Sequence, residues 1–316
     1  MEHYAVESKL SDAIFGPVML CKDLRHGNKL VAIKLINLAA SARHVTASSH
    51  EDEARTVQED NEMELAVYYA FAAHGGHAHV LNLHETFDDD LGYRHMVLDY
   101  CRGGELYDAV VAATALSLPL AQRYFRQVGQ GLYFMHLCGF AHRDVSLENV
   151  LLDANNHCKL IDFGLATPIH SATPPTSRVG KLFYMAPEVY QGIPYDPVAA
   201  DMWSLGVLLF IMVVGSPPME KPHAEDERYA LIHTHGIRGL LAAWKVHDRF
   251  TTDAVDVLNS LLCIEPRRRM SMPALLRHPF MQKEQDALNP SYSKVLDSPV
   301  SWTTLLQLFT RTSLIF

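Results

Sequence analysis

The chain has 316 residues and a formal net charge of −9, with 48% hydrophobic and 20% charged residues. This composition is ordinary for a soluble globular protein and excludes a collagen-like or mostly disordered chain, while the length suggests about two domains or two large lobes. The acidic balance argues against nucleic acid as the main partner, because no long basic run is present to neutralise phosphates.

Strand signals dominate the first hundred residues. Short apolar and partly β-branched runs predict strands at Val18–Cys21, Leu30–Ile36 and Arg94–Leu98. A helix is predicted between them from about Glu51 to Ala73, because apolar residues recur there at four-residue spacing. The small, polar segment from Ala39 to Ser49 is predicted to be a mobile loop.

Helical patterns take over after residue 105. One long helix is predicted to start just inside Pro119. Asp196 and Pro197 supply an N-cap and a first-turn proline for a second helix that Gly215 closes. Because this second helix is apolar on every side, it should be the buried axis of its lobe. The sequence therefore predicts an α+β architecture with a small sheet-rich lobe, a larger helical lobe and a tail from 283 to 316.

Four short segments carry the residues that chemistry would need. In chain order they are Val31–Lys34 on a strand, His142–Asp144 followed by Asn149, Asp162–Gly164, and Ala186–Glu188. Each segment alone is a weak signal. All four in this order, each in its predicted element, predict a site for phosphoryl transfer.

Each residue type has a role in that reaction, in which catalysis is mostly positioning and charge neutralisation. Lys34 would supply a fixed ammonium to the phosphates, and Asp162 and Asn149 offer the oxygen ligands that Mg²⁺ prefers. Asp144 would orient the attacking hydroxyl or accept its proton.

Lys34 needs an acidic partner, and the predicted helix offers Glu64 and Glu62. We favour Glu64 because it shares a face of the helix with two apolar residues. Alternatively, both glutamates are simply solvated.

These motifs resemble those of the eukaryotic protein kinase family, over roughly residues 8 to 282. Asp201–Gly206 resembles the family's buried central helix, and Glu265–Arg269 resembles the segment whose last arginine pairs with the glutamate at position 188. His278–Phe280 resembles the end of the domain. The resemblance implies a two-lobed kinase fold that uses ATP and Mg²⁺, with an N-lobe at 8–98, a hinge at 99–104 and a C-lobe at 105–282.

The resemblance also implies a nucleotide site in the cleft between the lobes. Leu98 would guard the deep adenine pocket, and backbone groups of Asp99 and Cys101 would bond adenine. The other positions that it assigns to nucleotide binding are Leu10, Gly16, Val18, Ala32, Lys34, Glu64, Glu105, Leu151 and Asp162.

The glycine-rich loop of the family is incomplete in this chain. Phe15–Val18 matches the second half of the pattern, but Ser11 and Ala13 stand at the first two glycine positions. A β-carbon forced to positive φ costs about 1–2 kcal/mol, which corresponds to a loss of about tenfold in ATP affinity. The alternative reading is therefore a weak or inactive pseudokinase that acts as a scaffold.

A second departure from the family is a pair of residues. Related Ser/Thr kinases usually carry lysine two residues after the catalytic aspartate, where this chain has Ser146, and threonine where it has Lys181. Our hypothesis is that the two side chains have exchanged places, with Lys181 neutralising the γ-phosphate and Ser146 hydrogen-bonding Asp144. The alternative is drift in an inactive enzyme.

The resemblance favours a serine or threonine acceptor, since the chain lacks the arginine and tryptophan that mark tyrosine kinases. Glu105 and Glu148 match positions that bind an upstream arginine in calcium/calmodulin-dependent-like basophilic kinases. Glu105 could instead only bind the ATP ribose and open a helix. A small-molecule kinase is a further alternative, although Ala186–Glu188 and the long loop before it favour a polypeptide substrate.

The loop before Gly180 carries candidate regulatory residues. Ser177 lies three residues before Gly180, where related kinases carry an activating phosphate, and Thr176 is the second candidate. Arg143 could pair with that phosphate and order the loop, which implies an upstream kinase. A merely flexible loop is the alternative reading.

The sequence also bears on the compartment. No secretory signal follows Met1, the apolar run Leu205–Val214 is about half of a bilayer span, and the cysteines are dispersed. We expect a cytoplasmic protein with no membrane partner. The amphipathic spacing in the tail favours packing against the chain's own helical lobe over a calmodulin-type helix, and it involves Trp302, Leu306, Phe309 and Ile315.

Overall fold

The computed structural model of the chain describes residues 2–41 and 60–282. Most of the predicted loop from Ala39 to Ser49 lies outside these residues, as does the first part of the helix predicted from Glu51. The predicted tail from 283 to 316 lies wholly outside them. Within the described residues, 38–41 form a helical turn rather than a loop.

An antiparallel sheet of five strands builds the first lobe, in the spatial order β1-β2-β3-β5-β4. It begins at Tyr4, earlier than the boundary predicted at residue 8. Two further two-stranded sheets, β6 with β9 and β7 with β8, lie in the second lobe. The strands are β1 Tyr4–Ala13, β2 Gly16–Asp23, β3 Lys29–Asn37, β4 Leu83–Asp88, β5 Tyr93–Asp99, β6 Phe140–Ala141, β7 Val150–Leu152, β8 Cys158–Leu160 and β9 Thr167–Pro168.

The strand register places several predicted nucleotide-binding residues on one face of the large sheet. Val18 lies opposite Lys34 across the β2–β3 pair, and Ala32 lies opposite Leu98 across the β3–β5 pair. Directly opposed residues share a face, and so do residues two apart on one strand. Val18, Ala32, Lys34 and Leu98 therefore face the same side of the sheet.

Helices form most of the second lobe. Helix α1, Asn61–Ala73, lies in the first lobe. The helices of the second lobe are α2 Leu106–Ala113, α3 Leu118–Leu137, α4 Pro187–Gln191, α5 Pro197–Val214, α6 Glu227–Ala243 with a kink at Gly236, α7 Thr252–Leu261, α8 Met272–Arg277 and α9 Pro279–Gln282. Single 3₁₀ turns occur at Leu182–Tyr184, His247–Arg249 and Pro266–Arg268.

Helix α1 begins later than its sequence pattern predicts. Asp60 is its N-cap, with extended backbone and a carboxylate that accepts from the backbone NH groups of Glu62 and Met63, both at 3.0 Å. A capped end of this kind satisfies the first free NH groups of a helix. The described helix therefore begins at Asn61, and positions 51–59 of the predicted helix lie outside the described residues.

Helix α5 is the axis of the second lobe, as its apolar sequence predicts. Asp196 caps its start by accepting from Val198 N at 2.9 Å, and Gly215 ends it in the left-handed conformation at φ 81°. A β-carbon at Gly215 would lie 1.9 Å from Thr114 O, so only glycine fits there. By length and composition α5 could cross a membrane, but 83% of it is buried inside the lobe, which identifies it as a core helix.

Candidate active site

A buried ion pair links the sheet to helix α1. Lys34 Nζ, on β3, donates to both carboxylate oxygens of Glu64 at 2.7 and 3.0 Å. The other candidate, Glu62, is exposed and accepts from Arg94 Nη1 at 2.8 Å, so the structure confirms Glu64 as the partner. Burial raises the pKa of Glu64, the Lys34 ammonium opposes that rise, and the nearby Asp162 carboxylate adds to it.

Three hydrogen bonds converge on the carboxylate of Asp144, whose side chain is only 10% exposed. Asn149 Nδ2 donates to Oδ2 at 2.7 Å and also to the Asp144 carbonyl at 2.8 Å. Lys181 donates from its backbone NH to Oδ1 and from Nζ to Oδ2, both at 2.9 Å. These bonds fix both oxygens, so Asp144 is held in one orientation.

The backbone around Asp144 is held by hydrogen bonds to Asp201, a fully buried residue of α5. Its carboxylate accepts from the backbone NH groups of His142 at 2.9 Å and Arg143 at 2.8 Å, and it contacts His136 Nε2 at 2.8 Å. Arg143 has a positive φ of 66°, which is uncommon for a residue other than glycine. The Asp201 carboxylate therefore holds a strained turn in place.

Asp162 lies two residues after the end of strand β8 and forms another part of the same site. Ile161 N donates to Asn149 O at 3.0 Å, which keeps Asp162 beside Asn149. The next residue, Phe163, is fully buried and packs edge-on against Tyr68 and Phe71 of α1, with ring centroids 5.2 and 5.1 Å away. This contact ties the position of Asp162 to the helix that carries Glu64.

The side chains present fit a Mg²⁺ ion bound together with phosphates. Asn149 donates through Nδ2, so its carbonyl oxygen Oδ1 is the atom left for a metal, and Asp162 adds a carboxylate. Among the described residues no group of three or more His, Cys, Asp or Glu side chains could hold a metal ion alone. That pattern suits Mg²⁺, which usually takes one or two protein oxygens and completes its shell with phosphates and water.

The hinge region follows strand β5, which ends at Asp99. Leu98 is buried, and the Asp99 carboxylate bonds Asn82 Nδ2 and His84 Nε2, both at 2.8 Å. Burial alone would raise the pKa of Asp99, but these two hydrogen bonds hold it well below its usual range. Asp99 N donates to Asn82 O at 3.2 Å, which leaves the carbonyl as its backbone group for adenine. Cys101 is buried in the hinge.

Two acidic side chains, Glu105 and Glu148, lie close enough for their charges to interact, and Lys181 acts on Glu105 as well. Glu105 is the residue before α2, and its pKa is raised by burial first, then by the Asp108 and Glu148 carboxylates, against the effect of Lys181. Glu148 Oε2 is buried and has no hydrogen-bond partner among the described residues. The two glutamates are thus close enough to repel each other, and a cation there would relieve the repulsion.

The loop before Gly180 is attached to the Asp144 turn through Ser177. Arg143 Nη1 donates to Ser177 Oγ at 3.1 Å, and Tyr195 OH donates to Ser177 O at 3.2 Å. No hydrogen bond joins Arg143 to Thr176 in the described part of the chain. The structure therefore brings Arg143 together with Ser177 rather than with the second candidate.

A sequence profile of the protein kinase domain matches residues 4–281. The chain belongs to the protein kinase family. Members of this family use ATP as the phosphate donor and Mg²⁺ as the metal ion. The lobes, the cleft residues and the buried helix α5 described above are the family's two-lobed α+β fold in this chain.

Three curated relatives are protein kinases of other organisms. The maternal embryonic leucine zipper kinase of Xenopus tropicalis is 30% identical over 289 residues, which cover 90% of this chain and 40% of that protein. The serine/threonine-protein kinase GIN4 of Saccharomyces cerevisiae is 32% identical over 209 residues, 66% of this chain and 18% of that protein. The serine/threonine-protein kinase chk1 of Schizosaccharomyces pombe is 28% identical over 282 residues, 88% of this chain and 53% of that protein. The chain thus spans about a fifth to a half of the length of these relatives.

The hairpin at the glycine-rich position differs from the sequence-based expectation. Ser11 and Ala13 both lie in β1, paired with Val18 and Gly16, and neither has a positive φ. The predicted backbone strain at these residues is therefore wrong, because strand pairing continues to Ala13 and the hairpin turns at 14 and 15. At Gly16 a β-carbon would lie 2.4 Å from Leu35 O, so this glycine is required by close approach to β3.

The hydrogen bond predicted between Ser146 and Asp144 is also corrected. Ser146 Oγ accepts from Lys181 Nζ at 3.0 Å, because the ammonium lies between the hydroxyl and the Asp144 carboxylate. The exchange hypothesis predicted that Ser146, Lys181 and Asp144 lie together, and the structure confirms that placement.

Leu10 and Leu151 are two further residues that were predicted to bind the nucleotide. Leu10 is at a register shift in β1 and is 42% exposed, and Leu151 is half-buried on β7. Tyr195, which bonds both Arg143 and Ser177, was not predicted. No local sequence signal marks it, since its role depends on a contact between segments that are distant in the chain.

Proposed function

We propose that this chain is a protein serine/threonine kinase, which transfers the γ-phosphate of ATP to a serine or threonine hydroxyl of a protein. The observation that carries the proposal is the assembled cleft. Lys34 is held by Glu64, and Asp162 lies beside Asn149 and within electrostatic reach of Glu64. An ammonium and oxygen ligands gathered in this way are what phosphoryl transfer requires.

Each residue of the site would have a separate role in the reaction. Lys34 would hold the α- and β-phosphates, and Asp162 with Asn149 Oδ1 would hold Mg²⁺, which neutralises charge on the phosphates when bound. Asp144, fixed by its three hydrogen bonds, would orient the acceptor hydroxyl and take its proton. Positioned acid–base groups of this kind contribute about 10²–10⁴-fold to a rate.

The pseudokinase alternative drew on the expected strain at Ser11 and Ala13. Since both residues are paired in β1 and neither has a positive φ, that support is lost. The test of activity is transfer of radiolabelled γ-phosphate from ATP to a serine peptide with an upstream arginine. We expect transfer by the natural sequence and a loss of at least about 10²-fold in Asp144→Ala. Equal incorporation with both proteins would refute the proposal.

A preference for arginine ahead of the acceptor follows from Glu105 and Glu148. Their mutual repulsion and the unpartnered, buried Glu148 Oε2 support binding of a guanidinium, which could engage two carboxylates. We expect Glu148→Gln to raise KM for an arginine peptide by about tenfold, equivalent to about 1.4 kcal/mol. KM for the matched peptide with citrulline should change little, and an equal rise for both peptides would contradict the preference.

Regulation by an upstream kinase is proposed at Ser177, with Thr176 as the second site. Support comes from the Arg143 contact to Ser177 Oγ, since a phosphate there would gain charge-assisted bonds to the same guanidinium. Activity of protein carrying phosphoserine at 177 should exceed that of Ser177→Ala, and no difference would argue against this site. A cytoplasmic location, with neither nucleic acid nor membrane as partner, remains part of the proposal and is testable by fractionation.

A further inference from the structure

The cation beside the catalytic aspartate comes from an unusual part of this chain. Lys181 Nζ lies 2.9 Å from Asp144 Oδ2 and 3.0 Å from Ser146 Oγ. Ser146, at the position where related kinases usually carry lysine, is fully buried, whereas the Lys181 side chain keeps 35% of its surface exposed. The cation beside Asp144 is thus supplied by a partly exposed side chain, and the buried hydroxyl at position 146 accepts a hydrogen bond from it.

Lys181 and Ser146 differ in how firmly their backbones are held. Ser146 lies between the fully buried side chains of Val145 and Leu147, in a turn where Asn149 N donates to Ser146 O at 3.3 Å. The segment that leads to Lys181 is open by comparison. Residues 171–178 are exposed except for half-buried Pro175. Segments with few buried contacts open at low free-energy cost, so the cation is carried by the less stable of the two segments.

A few contacts near Lys181 dock this segment on the catalytic turn. Ser177 Oγ accepts from Arg143 Nη1, and Val179 is buried. Gly180 has φ 87° and fits so closely that a β-carbon there would lie 2.6 Å from Arg143 O. Lys181 N then donates to Asp144 Oδ1. The position of the ammonium thus depends on the docking of residues 177–181 against Arg143 and Asp144.

We propose that Lys181 is the residue that neutralises the γ-phosphate during transfer, and that docking of the Ser177 loop on Arg143 therefore controls the chemical step itself. This inference rests on the kinase activity proposed above. In the reaction, the acceptor oxygen forms a bond to the γ-phosphorus while the bond from that phosphorus to the β,γ-bridging oxygen breaks. ADP leaves with the electron pair, Asp144 takes the hydroxyl proton, and Lys181 donates hydrogen bonds to the γ-phosphate oxygens.

Phosphorylation of Ser177 would act on this arrangement through Arg143. A phosphate adds about −1.5 to −2 charges and can form 1–3 charge-assisted bonds with arginine. Ser177 lies four residues before Lys181, so tighter docking there also fixes the ammonium. With lysine at position 146 instead, the cation would be carried by the buried turn, and its position would depend less on how the Ser177 loop is docked.

The first test moves the cation between the two segments. Lys181→Thr should lower kcat by about 10²–10³-fold, the range found when one charge-stabilising group is removed from a transition state. The double variant Ser146→Lys/Lys181→Thr should recover kcat to within about tenfold of the natural sequence. Equal loss in the single and double variants would overturn the proposal. Lys221→Thr is the matched control, because Lys221 is also paired with a carboxylate, Glu225 at 2.7 Å, but on an exposed helix-flanking turn away from the cleft.

The second test measures binding without turnover. The natural sequence should bind a non-hydrolysable ATP analogue more tightly than ADP, and Lys181→Thr should reduce that preference by about tenfold while ADP affinity stays the same. Unchanged ADP affinity also reports that the variant is folded. If the natural sequence transfers no phosphate, the proposed function fails. If it transfers phosphate and Lys181→Thr changes neither kcat nor the binding preference, the present inference fails alone.

The third test addresses the coupling to Ser177. In the natural sequence, phosphoserine at 177 should raise kcat by about tenfold or more relative to Ser177→Ala. In the Ser146→Lys/Lys181→Thr background the same comparison should change kcat by less than about threefold. An equal effect on kcat in both backgrounds would contradict the coupling between the loop and the chemical step.

Discussion

Replacing Arg269 should destabilise the second lobe far more than replacing the arginine next to it. Arg269 is 1% exposed and donates to Glu188 from Nη1 at 2.7 Å and from Nη2 at 3.1 Å. The same guanidinium donates to Cys263 O at 3.1 Å and lies over the ring of Trp203. Arg268, its neighbour in the chain, is 76% exposed, and its Nη1 lies 4.0 Å from Glu265 Oε2, beyond hydrogen-bond distance.

The expected magnitude follows from the charge that would be left behind. Arg269→Met removes the one guanidinium that is bonded to Glu188 among residues 2–41 and 60–282, so a carboxylate that is 6% exposed stays buried without that partner. Breaking a buried ion pair in this way costs about 3–5 kcal/mol. For a domain of this size that corresponds to a fall in Tm of about 10 °C. Arg268→Met removes an exposed pair, which contributes at most about 1 kcal/mol.

Urea unfolding of the natural sequence and the two variants measures this difference. A third variant, Glu188→Leu/Arg269→Met, removes both charges and should be more stable than Arg269→Met alone, since apolar replacement of a whole buried pair is often close to neutral. The reasoning would be refuted if Arg269→Met and Arg268→Met lost similar stability. It would also be refuted if the double variant were less stable than Arg269→Met alone.

Three further predictions concern the first lobe and the contact between the lobes. Glu64→Gln should lower kcat by up to about 10²-fold by loosening Lys34, whereas Glu62→Gln on the same helix should leave kcat unchanged; equal kcat values for both would contradict it. Ala13→Gly should change ATP affinity by less than about threefold and destabilise β1 by about 0.5–1 kcal/mol, because no strain is present to relieve; a tenfold gain in affinity would argue against an unstrained hairpin. Burial, and then the neighbouring His79, lower the pKa of His77 to about 4. The folded state therefore binds fewer protons at this residue than the unfolded state. The free energy of unfolding should fall by at most about 3 kcal/mol as the pH drops from about 6.5 to 4. His77→Asn, which keeps an acceptor for the His79 backbone NH, should flatten that decline, and the same pH profile with and without the substitution would contradict it.

The residues that sequence reasoning placed well are those fixed by local periodicity. The Lys34–Glu64 contact follows from a strand and a helix whose buried faces are visible in the sequence. The N-cap of α5 at Asp196 and its end at Gly215 are local as well, since each depends on the preferences of one or two residues. The two ends of α5 need no knowledge of distant contacts, whereas the Lys34–Glu64 pair was predicted from the helix face together with the family resemblance.

The wrong predictions concern residues whose conformation or partner depends on contacts between distant parts of the chain. Ser11 and Ala13 look like damaged glycine positions in the motif, but pairing of β1 with β2 keeps them extended. The approach of Lys181 to this site was predicted, but the partner of the Ser146 hydroxyl was wrong, because the Lys181 ammonium lies between that hydroxyl and the Asp144 carboxylate.

The central claim is that Lys34, Asp144, Asn149 and Asp162 meet around the triphosphate of a bound nucleotide. The most direct measurement is a crystal structure with a non-hydrolysable ATP analogue and Mn²⁺ in place of Mg²⁺, because the anomalous signal of manganese locates the metal. The account predicts manganese on Asp162 and Asn149 Oδ1, with Lys34 Nζ in hydrogen-bond contact with phosphate oxygens. A nucleotide bound elsewhere, or a cleft with Lys34 turned away from Asp162 and no metal between the lobes, would contradict it.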